Sequence, residues 1–504
     1  MLLYSREKDV YFLTATQIEA CDSAYLSYFS DQGQTNHEVM CVTKQYDVIV
    51  IGAGPAGIFT GLELAGSGLS VLILEKGRDI TSRRCPINHY GGKCLRCKPC
   101  DILCGWGGAG AFSDGKLTLT TEFGGILEEY MDKSKVAELI EYIDKVYLKF
   151  GATTTVYGDD KKDEIRRIQR VAAAADLNFI QARIRHLGTE KCTEILTRMR
   201  EFLDDKCEIR TNKSVKAIVV KDGKYAGIEL DDGEMLESKY LVAAPGREGA
   251  EWFSDQAASL GLSMITNPVD IGVRVELPAV VMEHITDIVY ESKLVYYTKS
   301  FDDRVRTFCM NPYGEVVNEN NAGLITVNGH SYAEKKTKNT NFALLVSKSF
   351  TEPFKEPITY GKSIAKLANL LGGGVIVQRL GDLLDGRRST PERINRGMVE
   401  PTLGDATPGD LSLVLPYRHL VAIIEMLEAL DKVAPGVNSR HTLLYGVEVK
   451  FYSSRPRLSG VLESEIENLF AAGDGAGVTR GLAQASAAGV VVAREIIARE
   501  GKQA

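Results

Sequence analysis

The stretch from Tyr46 to Glu75 constrains the fold of this chain more than any other part of its sequence. It opens with Val48 to Ile51, a short apolar run typical of a strand that is buried on both faces. A glycine-rich turn, a helical segment from Pro55 to Ala65 and a second apolar run from Ser70 to Leu74 follow in that order. This succession predicts a strand–turn–helix–strand unit of a Rossmann-like sheet.

The turn of this unit carries glycine at three spaced positions, Gly52, Gly54 and Gly57. Gly52 permits the tight turn, Gly54 lets the backbone approach a pyrophosphate, and Gly57 allows close packing of helix and strand. The helix N-terminus offers N–H groups and a partial positive charge to phosphates. Glu75, which ends the second strand, is placed to accept hydrogen bonds from a ribose hydroxyl. Because these features occur together, the sequence predicts a dinucleotide site.

A second motif, near the C-terminus, bears on which dinucleotide is bound. An apolar strand that begins at Leu469 ends at Gly473 and Asp474, and a helix rich in small residues follows to about Arg499. Between the two motifs, Tyr240 to Gly246 is another apolar segment that ends in glycine. This order resembles the glutathione-reductase-type flavoproteins, in which the late aspartate binds the ribityl or pyrophosphate part of FAD. The resemblance implies that FAD, and not NAD, is the bound dinucleotide.

The motifs and the resemblance together imply cofactor contacts in several parts of the chain. The glycine-rich run around Gly107 lets the main chain contact a planar ring, and Val215 lies where related flavoproteins offer backbone to the adenine. The predicted FAD-binding residues are Gly52, Gly54, Pro55, Ala56, Gly57, Glu75, Lys76, Gly107, Gly108, Ala109, Val215, Gly246, Gly473, Asp474, Gly481 and Gln484.

The stretch from Cys85 to Leu117 joins a cysteine cluster to this glycine run. Its pattern, CP…C..C.PC…GWGGAGAFSDGKL, is similar to that of the uncharacterised FAD-dependent dehydrogenases, a family of bacteria and archaea. The resemblance extends from about residue 46 to the C-terminus and includes Phe308 to Gly314, Asn341 to Leu345 and Gly446 to Lys450. It implies the fold and the cofactor, and it says little about the substrate.

The cysteines from Cys94 to Cys104 follow C-x2-C-x2-C-x3-C, the spacing of a bacterial ferredoxin loop. An iron–sulfur cluster here would use Cys94, Cys97 and Cys100, with Cys85 as the nearest candidate for a fourth ligand. Three alternatives remain open, namely a thiol–disulfide pair of Cys97 and Cys100, a structural zinc held by four thiolates, and reduced cysteines without a cofactor.

The chain as a whole is predicted to have an α/β fold. An FAD-binding, Rossmann-like domain of the ββα type is built from discontinuous segments, and a second, mainly antiparallel β-sheet domain and cap helices complete it. Helical spacing predicts cap helices at Lys133 to Phe150 and Thr189 to Phe202, with a solvated charged segment from Asp159 to Arg170. The predicted parts are an N-terminal extension (1–44), a helical cap (126–204), a substrate domain (263–445) and three pieces of the FAD-binding domain (45–125, 205–262 and 446–504).

Polar residues of the second domain are candidates for contact with a substrate. Glu448 and Lys450 are two positions apart on a predicted strand and so share one face. With Cys309 they are the predicted catalytic residues, although most polar residues of this kind lie on a surface or are satisfied within a core. The other candidates are Arg274, Asn311, His330, Arg387 and Arg388.

Two absences in the sequence narrow the function. There is no second glycine fingerprint in a strand–helix context, as a dedicated NAD(P)H domain would require, and no C-x4-C on the first FAD helix. An FAD-dependent oxidoreductase remains, either a dehydrogenase or an ene-reductase. It would exchange hydride between flavin N5 and a small organic substrate while a polar group moves the proton. Electrons would come from transient NAD(P)H, from an electron-carrier protein, or from the cysteine cluster if it holds iron.

Charge and hydropathy argue against other partners. The net charge of −7 gives no broad attraction for nucleic acid or for an anionic membrane. One alternative function is a flavoprotein that acts on or binds RNA, with Lys335, Lys336, Lys338, Arg387 and Arg388 as local basic groups. The other is an FAD/iron–sulfur electron-relay protein. No apolar run reaches the roughly 18 residues of a membrane span. The charged start, MLLYSREKDV, differs from a signal peptide, so a cytoplasmic location is expected.

Overall fold

The residues that the computed structural model describes are 45–86, 95, 97–113, 115–321, 323–331, 336–350, 356–450 and 454–502, together with four short strands before residue 45. Within this part of the chain, none of the helices combines the length and the apolar character that crossing a bilayer requires. Apart from those four strands, the predicted extension 1–44 lies outside the described residues.

The described chain contains both α-helices and β-strands, with runs of consecutive strands from Glu208 to Ala243 and from Lys293 to Lys348. The α-helices are α1 (Pro55–Leu64), α2 (Lys133–Lys149), α3 (Lys162–Ala174), α4 (Thr189–Asp204), α5 (Ala250–Ser259), α6 (Glu283–Val289), α7 (Pro357–Gly372), α8 (Leu380–Leu384), α9 (Pro391–Asn395), α10 (Tyr417–Asp431) and α11 (Leu482–Arg499). The strands are β1 (Tyr4–Arg6), β2 (Asp9–Tyr11), β3 (Tyr25–Leu26), β4 (Cys41–Val42), β5 (Gln45–Ile51), β6 (Val71–Glu75), β7 (Lys116–Thr118), β8 (Asn178–Ile180), β9 (Ile184–His186), β10 (Glu208–Thr211), β11 (Val215–Lys221), β12 (Lys224–Leu230), β13 (Met235–Ala243), β14 (Met264–Ile265), β15 (Val269–Pro278), β16 (Lys293–Tyr297), β17 (Arg304–Asn311), β18 (Glu315–Asn321), β19 (Leu324–His330), β20 (Asn339–Lys348), β21 (Ile376–Arg379), β22 (Thr407–Pro408), β23 (Leu443–Lys450), β24 (Arg455–Pro456) and β25 (Leu469–Ala471).

The segments that carry the glycine motifs assemble into one seven-stranded sheet. Its order is β10-β6-β5-β13-β12-β11, and β25 pairs with β13. The strands β10, β6, β5, β13 and β25 run parallel, while β11, β12 and β13 form an antiparallel meander. β6 is buried along its whole length, as expected for a parallel strand covered on both faces. The hairpin between β11 and β12 turns at Asp222 and Gly223, both of which have positive φ.

The second sheet has eight strands in the order β22-β21-β23-β15-β20-β17-β16-β8. Neighbouring strands are antiparallel except for β21 and β22. β15 and β20 are buried at most positions and form the centre of a hydrophobic core of their own, against which α10 packs. The α/β fold with a second, mainly antiparallel domain is therefore confirmed.

The helices predicted between 126 and 204 pack in two different places. α2 and α4 lie on the core of the first sheet, where Ile143 and Met199 are buried. The prediction of a solvated charged segment from Asp159 to Arg170 is wrong in part, because most of this segment forms helix α3. Ile165 and Ile168 of α3 are buried in the core of the second sheet, while its charged residues face outward. A stripe of few apolar residues among many charges hid this amphipathic helix.

α11 crosses α1 at a glycine, which brings the two backbones close together. A Cβ atom at Gly489 would lie 2.1 Å from the carbonyl oxygen of Ala56. The Thr60 hydroxyl donates to the carbonyl oxygens of Ala56 (2.9 Å) and Gly489 (3.3 Å). The N-terminal residues of both helices consequently face the same cavity, with Pro55 in one helix and Leu482 in the other.

Candidate functional site

A cavity of about 760 Å³ lies where the carboxyl ends of the parallel strands meet the second sheet. Its volume is within the range of ligand and cofactor pockets. The predicted FAD-binding residues that line it are Gly52, Gly54, Pro55, Ala56, Glu75, Lys76, Gly108, Ala109, Val215, Gly246, Gly473, Asp474 and Gly481. Three others of the predicted set do not line it, namely Gly57, Gly107 and Gln484.

The first glycine turn has the geometry that an approaching phosphate requires. Gly52 has φ of 97°, and a Cβ atom there would lie 2.1 Å from the carbonyl oxygen of Ala244. A Cβ atom at Gly57 would lie 1.9 Å from the carbonyl oxygen of Gly52, so this glycine serves the packing of helix on turn. A Cβ atom at Gly54 would meet no described atom within 4 Å, and no side chain caps the N-terminus of α1. This N-terminus is therefore open for an anionic group of FAD.

The Glu75 carboxylate holds three segments around the turn. It accepts hydrogen bonds from the backbone N–H groups of Ala53 (2.9 Å), Gly77 (2.8 Å) and Gly105 (2.9 Å). A carboxylate offers about four acceptor positions, so one remains for the predicted ribose hydroxyl. Glu75 thus ties the end of β6 to the glycine turn as well as lining the cavity.

The glycine run after the cysteine cluster crosses over the first turn. The backbone N–H of Gly107 donates to the carbonyl oxygen of Ala53 at 2.7 Å. A Cβ atom at Gly108 would lie 3.1 Å from the Cα atom of Gly54. Gly107 itself packs against Leu196 of α4, which explains why it lies away from the cavity. The run contributes Gly108 and Ala109 to the cavity wall, and their contact with the cofactor stays a prediction.

At one end of the cavity, Val215 and Trp252 provide apolar surface where the adenine is predicted to bind. The Trp252 indole donates to the carbonyl oxygen of Lys216 at 3.0 Å. Nearby, Lys76 forms an ion pair with Glu248, and the Cys104 thiol donates to the same carboxylate at 3.1 Å. Burial raises the pKa of Cys104 to about 11, so this thiol is protonated at neutral pH.

The C-terminal motif places Asp474 on the cavity wall. Its carboxylate accepts a hydrogen bond from Thr479 (2.8 Å) and pairs with Arg247 (3.2 Å). Gln484 is buried instead, and its amide donates to the carbonyl oxygen of Phe123 and accepts from the N–H of Leu127, both at 3.4 Å. Gln484 thus holds the loop that carries Phe123, and its contact with the cofactor stays a prediction.

At the other end of the cavity, β17 contains a bulge that carries Cys309. Cys309 has φ of 45° and lines the cavity. Its carbonyl oxygen accepts hydrogen bonds from Arg274 (3.0 Å) and Asn311 (3.1 Å). The next carbonyl, of Met310, accepts from the Lys116 ammonium at 2.7 Å. These donors fix the backbone on both sides of the Cys309 side chain.

Glu448 and Lys450 share one face of β23, as predicted, but neither is among the described residues that line the cavity. The Glu448 carboxylate makes a bidentate pair with Arg274 at 2.8 and 2.9 Å, and both side chains are fully buried. Burial alone would raise the pKa of Glu448, but the charges of Arg274 and Lys450 lower it. Lys450 lies 3.1 Å from Glu448. Both residues thus belong to a buried ion-pair network around Arg274, and their catalytic role stays a prediction.

Sequence reasoning missed a buried charge cluster on the cavity wall, which we call the Lys293 cluster, made of Lys116, Glu291 and Lys293. Lys116 lies 3.3 Å from the Glu291 carboxylate, and Lys293 pairs closely with its other oxygen. The three side chains are at most 9% exposed. A charged pair two residues apart at the start of an apolar strand was the available signal, but nothing local indicated Lys116 as their partner.

The remaining candidates lie elsewhere. Asn311 is buried beside Arg274, and His330 lies on the β18–β19 hairpin. Arg387 is paired with Asp382 and Asp385, both at 3.0 Å, and Arg388 is exposed. Lys335 lies outside the described residues. This local pairing gives the RNA alternative no support.

The predicted metal ligands are only partly described, because Cys94 lies outside the described residues. Cys97 is exposed, and Cys85 and Cys100 are half-buried. Among the described residues, no three potential ligand side chains come together as a metal site would require. The iron–sulfur, zinc and thiol interpretations stay predictions.

Two families match the sequence. Residues 268–451 match the family described as "FAD-dependent protein, C-terminal domain-like", and residues 45–89 match the family described as "FAD binding domain". Both family descriptions name FAD, and together the two matched ranges cover less than half of the chain. The matched ranges contain the first glycine turn and most of the second sheet, which are the two sides of the cavity.

Proteins similar to this chain include an uncharacterized protein of Clostridium beijerinckii, 28% identical over 474 residues that cover 89% of this chain and 80% of the relative. Protein FixC of Escherichia coli K12 is 26% identical over 243 residues, which are 47% of this chain and 45% of FixC. Among solved structures, glycine oxidase from Geobacillus kaustophilus aligns with a TM-score of 0.38 and 13% identity over 91% of this chain and 95% of the oxidase. L-proline dehydrogenase from P. horikoshii aligns with a TM-score of 0.40 and 13% identity over 92% and 95%.

The matched families and the cavity agree on the cofactor. The open N-terminus of α1, the glycine positions and the size of the cavity fit FAD. An FAD-dependent oxidoreductase is the general function that these observations support. NAD(P)H as a transient electron donor stays a prediction.

Proposed function

We propose that this FAD-dependent protein is a dehydrogenase or an ene-reductase that exchanges hydride with a small organic substrate. The observation that supports the proposal is one cavity whose walls are the glycine turn and the bulged strand of the second sheet. A cofactor held at the turn and a substrate held against β17 would share this space. Such proximity is what transfer between two bound molecules requires.

Residues along the cavity have different roles in the proposed reaction. When bound, FAD supplies the capacity to accept or donate two electrons as hydride. The N-terminus of α1 binds phosphate, Glu75 and Asp474 orient hydroxyl groups, and the second sheet excludes water. Cys309 is the residue proposed to hold or move a proton, at its Sγ atom, because it lines the cavity on a backbone fixed by Arg274 and Lys116.

The proposal is tested on the purified protein with its own flavin. The visible flavin spectrum is recorded first, and then the flavin is reduced anaerobically with NADH, with NADPH, or with light and a sacrificial electron donor. The reduced protein is mixed with a panel of small enoates, imines and ketones. We expect at least one class to restore the oxidised flavin spectrum much faster than buffer does. A protein without flavin, or a reduced flavin that no class reoxidises, would contradict the proposal.

The role of Cys309 is tested with the same assay. Cys309→Ala is expected to slow substrate-dependent reoxidation by about 100-fold while the flavin content is unchanged. Cys207→Ala is the matched control, because Cys207 is a buried thiol that does not line the cavity. Equal rates in the two variants would remove Cys309 from the mechanism.

A further inference from the structure

The ammonium group of Lys293 lies against two aromatic rings at the end of the cavity that β17 forms. Its Nζ atom is 4.8 Å from the centroid of the Phe123 ring and 4.5 Å from that of the Phe308 ring. Both distances are within the range of a cation–π contact. All three residues line the cavity, and only 8% of the Lys293 side chain is exposed. A charged donor is therefore held on the cavity wall beside two apolar rings.

The Glu291 carboxylate holds Lys293 in this position. One of its oxygens accepts a hydrogen bond from Lys293, and the other lies 3.3 Å from the Lys116 ammonium. Burial alone would raise the pKa of Glu291, but the charges of Lys293 and Lys116 lower it to about 2. Burial lowers the pKa of Lys293, and the charge of Glu291 opposes this effect. An ionised carboxylate at this position favours the ammonium form of Lys293.

Glu291 takes only part of the hydrogen-bonding capacity of Lys293. An ammonium group has three N–H donors. Among the residues that the structure describes, the Glu291 carboxylate is the single hydrogen-bond acceptor of Lys293. The faces of aromatic rings are much weaker acceptors than an oxygen atom. Lys116, by contrast, also donates to the carbonyl oxygen of Met310 at 2.7 Å. Lys293 is therefore the lysine of this cluster that can donate to a ligand.

The side chains around Lys293 favour a ligand with an apolar skeleton and one oxygen acceptor. Val295, two positions along β16, and Ile180, which pairs with Lys293 across β8 and β16, also line the cavity. Because Lys293 is already paired with Glu291, the ligand does not need to bring a charge. Apolar walls with a few placed polar groups are typical of small-molecule pockets. A hydrogen bond in such surroundings is stronger than one in water.

Cys309 provides a second polar group at a separate position on the same wall. It follows Phe308 on β17 and also lines the cavity. A charge on its thiol would raise the pKa of Lys293, so the two groups are close enough to interact. Reduction of a saturated ketone requires a proton at the oxygen, which one group can supply. Reduction of a conjugated carbonyl compound requires a donor at the oxygen and a proton at the α carbon. Two separate groups fit the second reaction better.

We propose that Lys293 donates a hydrogen bond to the carbonyl oxygen of the substrate, and that the substrate is an apolar α,β-unsaturated ketone or aldehyde. The inference rests on the proposed function and adds to it the substrate class and a second catalytic residue. Phe123 and Phe308 then provide the surface against which the carbon skeleton lies.

The electrons and the proton of this reaction balance with Lys293 and Cys309 in these roles. Hydride added at the β carbon moves the electron pair of the C=C bond toward the carbonyl carbon and the pair of the C=O bond onto oxygen. Lys293 stabilises the negative charge on that oxygen. Cys309 then gives its Sγ proton to the α carbon, and the C=O bond forms again. A donor held in advance where charge develops is among the strongest contributions to catalysis.

The experiment measures binding to the oxidised flavoprotein, so that no turnover is needed. Cyclohexenone and benzylideneacetone are titrated by calorimetry, with cyclohexene and phenylbutene as hydrocarbons of matched shape. The infrared band of the carbonyl group is recorded for bound benzylideneacetone, with an isotope-labelled carbonyl to separate it from the protein bands. Flavin content and thermal unfolding are recorded for every variant.

We expect at least one enone to bind with a carbonyl band at lower frequency than in water. Lys293→Met should weaken this binding at least about tenfold, through the loss of a charged hydrogen bond, and should raise the frequency of the band. Reoxidation of the reduced protein by the enone should slow by about 100-fold. Binding of the hydrocarbons should not change. Lys299→Met is the matched control, because Lys299 follows β16 but is exposed and does not line the cavity.

A double variant guards against loss of folding. Lys293→Met leaves the Glu291 carboxylate without one of its partners. If that variant loses flavin or unfolds, Lys293→Met combined with Glu291→Gln removes both charges of the pair and is tested in its place. Its binding of enones and its carbonyl band should change in the same direction.

Three results would overturn the inference. They are failure of both enones to bind, equal enone affinity of the Lys293 and Lys299 variants, and a carbonyl band that does not respond to Lys293→Met. Reoxidation by imines or saturated ketones alone would refute the substrate class while the proposed function stands. A protein without flavin, or a reduced flavin that nothing reoxidises, would instead contradict the proposed function.

Discussion

At the nucleotide end of the cavity the decisive contacts join backbone atoms or glycines, whereas at the sheet end they join charged side chains. Gly52 and Gly57 are within a few residues of each other, and their close approaches involve carbonyl oxygens. Lys116 comes from a part of the chain that is distant from Glu291 and Lys293, and the three meet through their side chains. The first kind of site leaves a motif in the sequence, and the second does not.

The difference also predicts how each end responds to mutation. A site made of backbone fails when extra atoms are inserted, because packed backbone has no room to move. A site made of buried charges fails when one partner is removed, because the other charge is left uncompensated. Variants at the nucleotide end should therefore be destabilised by added atoms, and variants at the sheet end by the loss of a charged partner. The size of the effect should differ as well.

The largest effect is expected from Arg274→Met, which removes the partner of buried Glu448. Loss of one member of a buried pair costs about 3–5 kcal/mol. Denaturant unfolding measures this loss as a lower midpoint at similar slope. Arg166→Met, at an exposed pair with Asp163 on α3, is the control and should change stability by less than about 1 kcal/mol. If Arg274→Met lowers the free energy of unfolding by less than about 1 kcal/mol, the sheet end does not depend on its buried charge pairs in the way proposed.

At low pH, protonation of His419 on α10 is expected to lower the free energy of unfolding. Its ring nitrogens have no hydrogen-bond partner among the described residues, and burial lowers its pKa from 6.5 to about 4. Between these two values the unfolded chain binds the proton and the folded chain does not, so stability is complete above about pH 6.5 and falls toward pH 4. The loss is about 3 kcal/mol at pH 4.

The measurement is the free energy of unfolding between pH 7 and pH 4. His419→Leu should flatten the profile over this interval, because the variant has no imidazole to protonate. If the variant and the unaltered protein lose the same stability, His419 does not control the acid response.

The nucleotide end is tested with three alanine variants at glycines. Gly57→Ala is expected to cost about 1–3 kcal/mol and to reduce FAD content, because the new Cβ atom meets the Gly52 carbonyl oxygen. Gly54→Ala has room within the protein but faces the cavity, so it should retain stability and lose FAD affinity. Gly66→Ala, with no atom nearby, is the control for both readouts.

Flavin content and thermal unfolding of the three proteins are compared side by side. If Gly54→Ala and Gly66→Ala hold FAD equally well, the first glycine turn is not the phosphate site. If Gly57→Ala is as stable as Gly66→Ala, the close packing of α1 on the turn is not required.

The smallest effect is expected at Glu75, whose carboxylate receives three backbone N–H groups. Glu75→Gln replaces one acceptor oxygen by a donor, so one of these hydrogen bonds is lost at a cost of about 1 kcal/mol. FAD affinity should fall with it, because the turn and the end of β6 are no longer held together. Glu201→Gln, at an exposed position of α4, should change neither stability nor affinity. Unchanged FAD binding in Glu75→Gln would limit this residue to a structural role.

The sequence predicted a second, mainly antiparallel domain, and strands such as β15 and β20 confirm it. Helix α3 was not predicted, because only Ile165, Ile168 and a few alanines mark its buried face among many charges. Amphipathic helices with so narrow an apolar stripe are recognised only once the surface they cover is known.

For the candidate site, the sequence alone determined the glycine turn, Glu75 and Asp474. Each depends on the local path of the backbone, and that path is encoded within one strand–turn–helix unit. Only the tertiary structure decided that Glu448 is bound to Arg274, that Gln484 holds a loop, and that Lys293 faces the cavity. Those outcomes depend on which side chains meet across strands that are far apart in sequence, and spacing along the chain carries no information about such meetings.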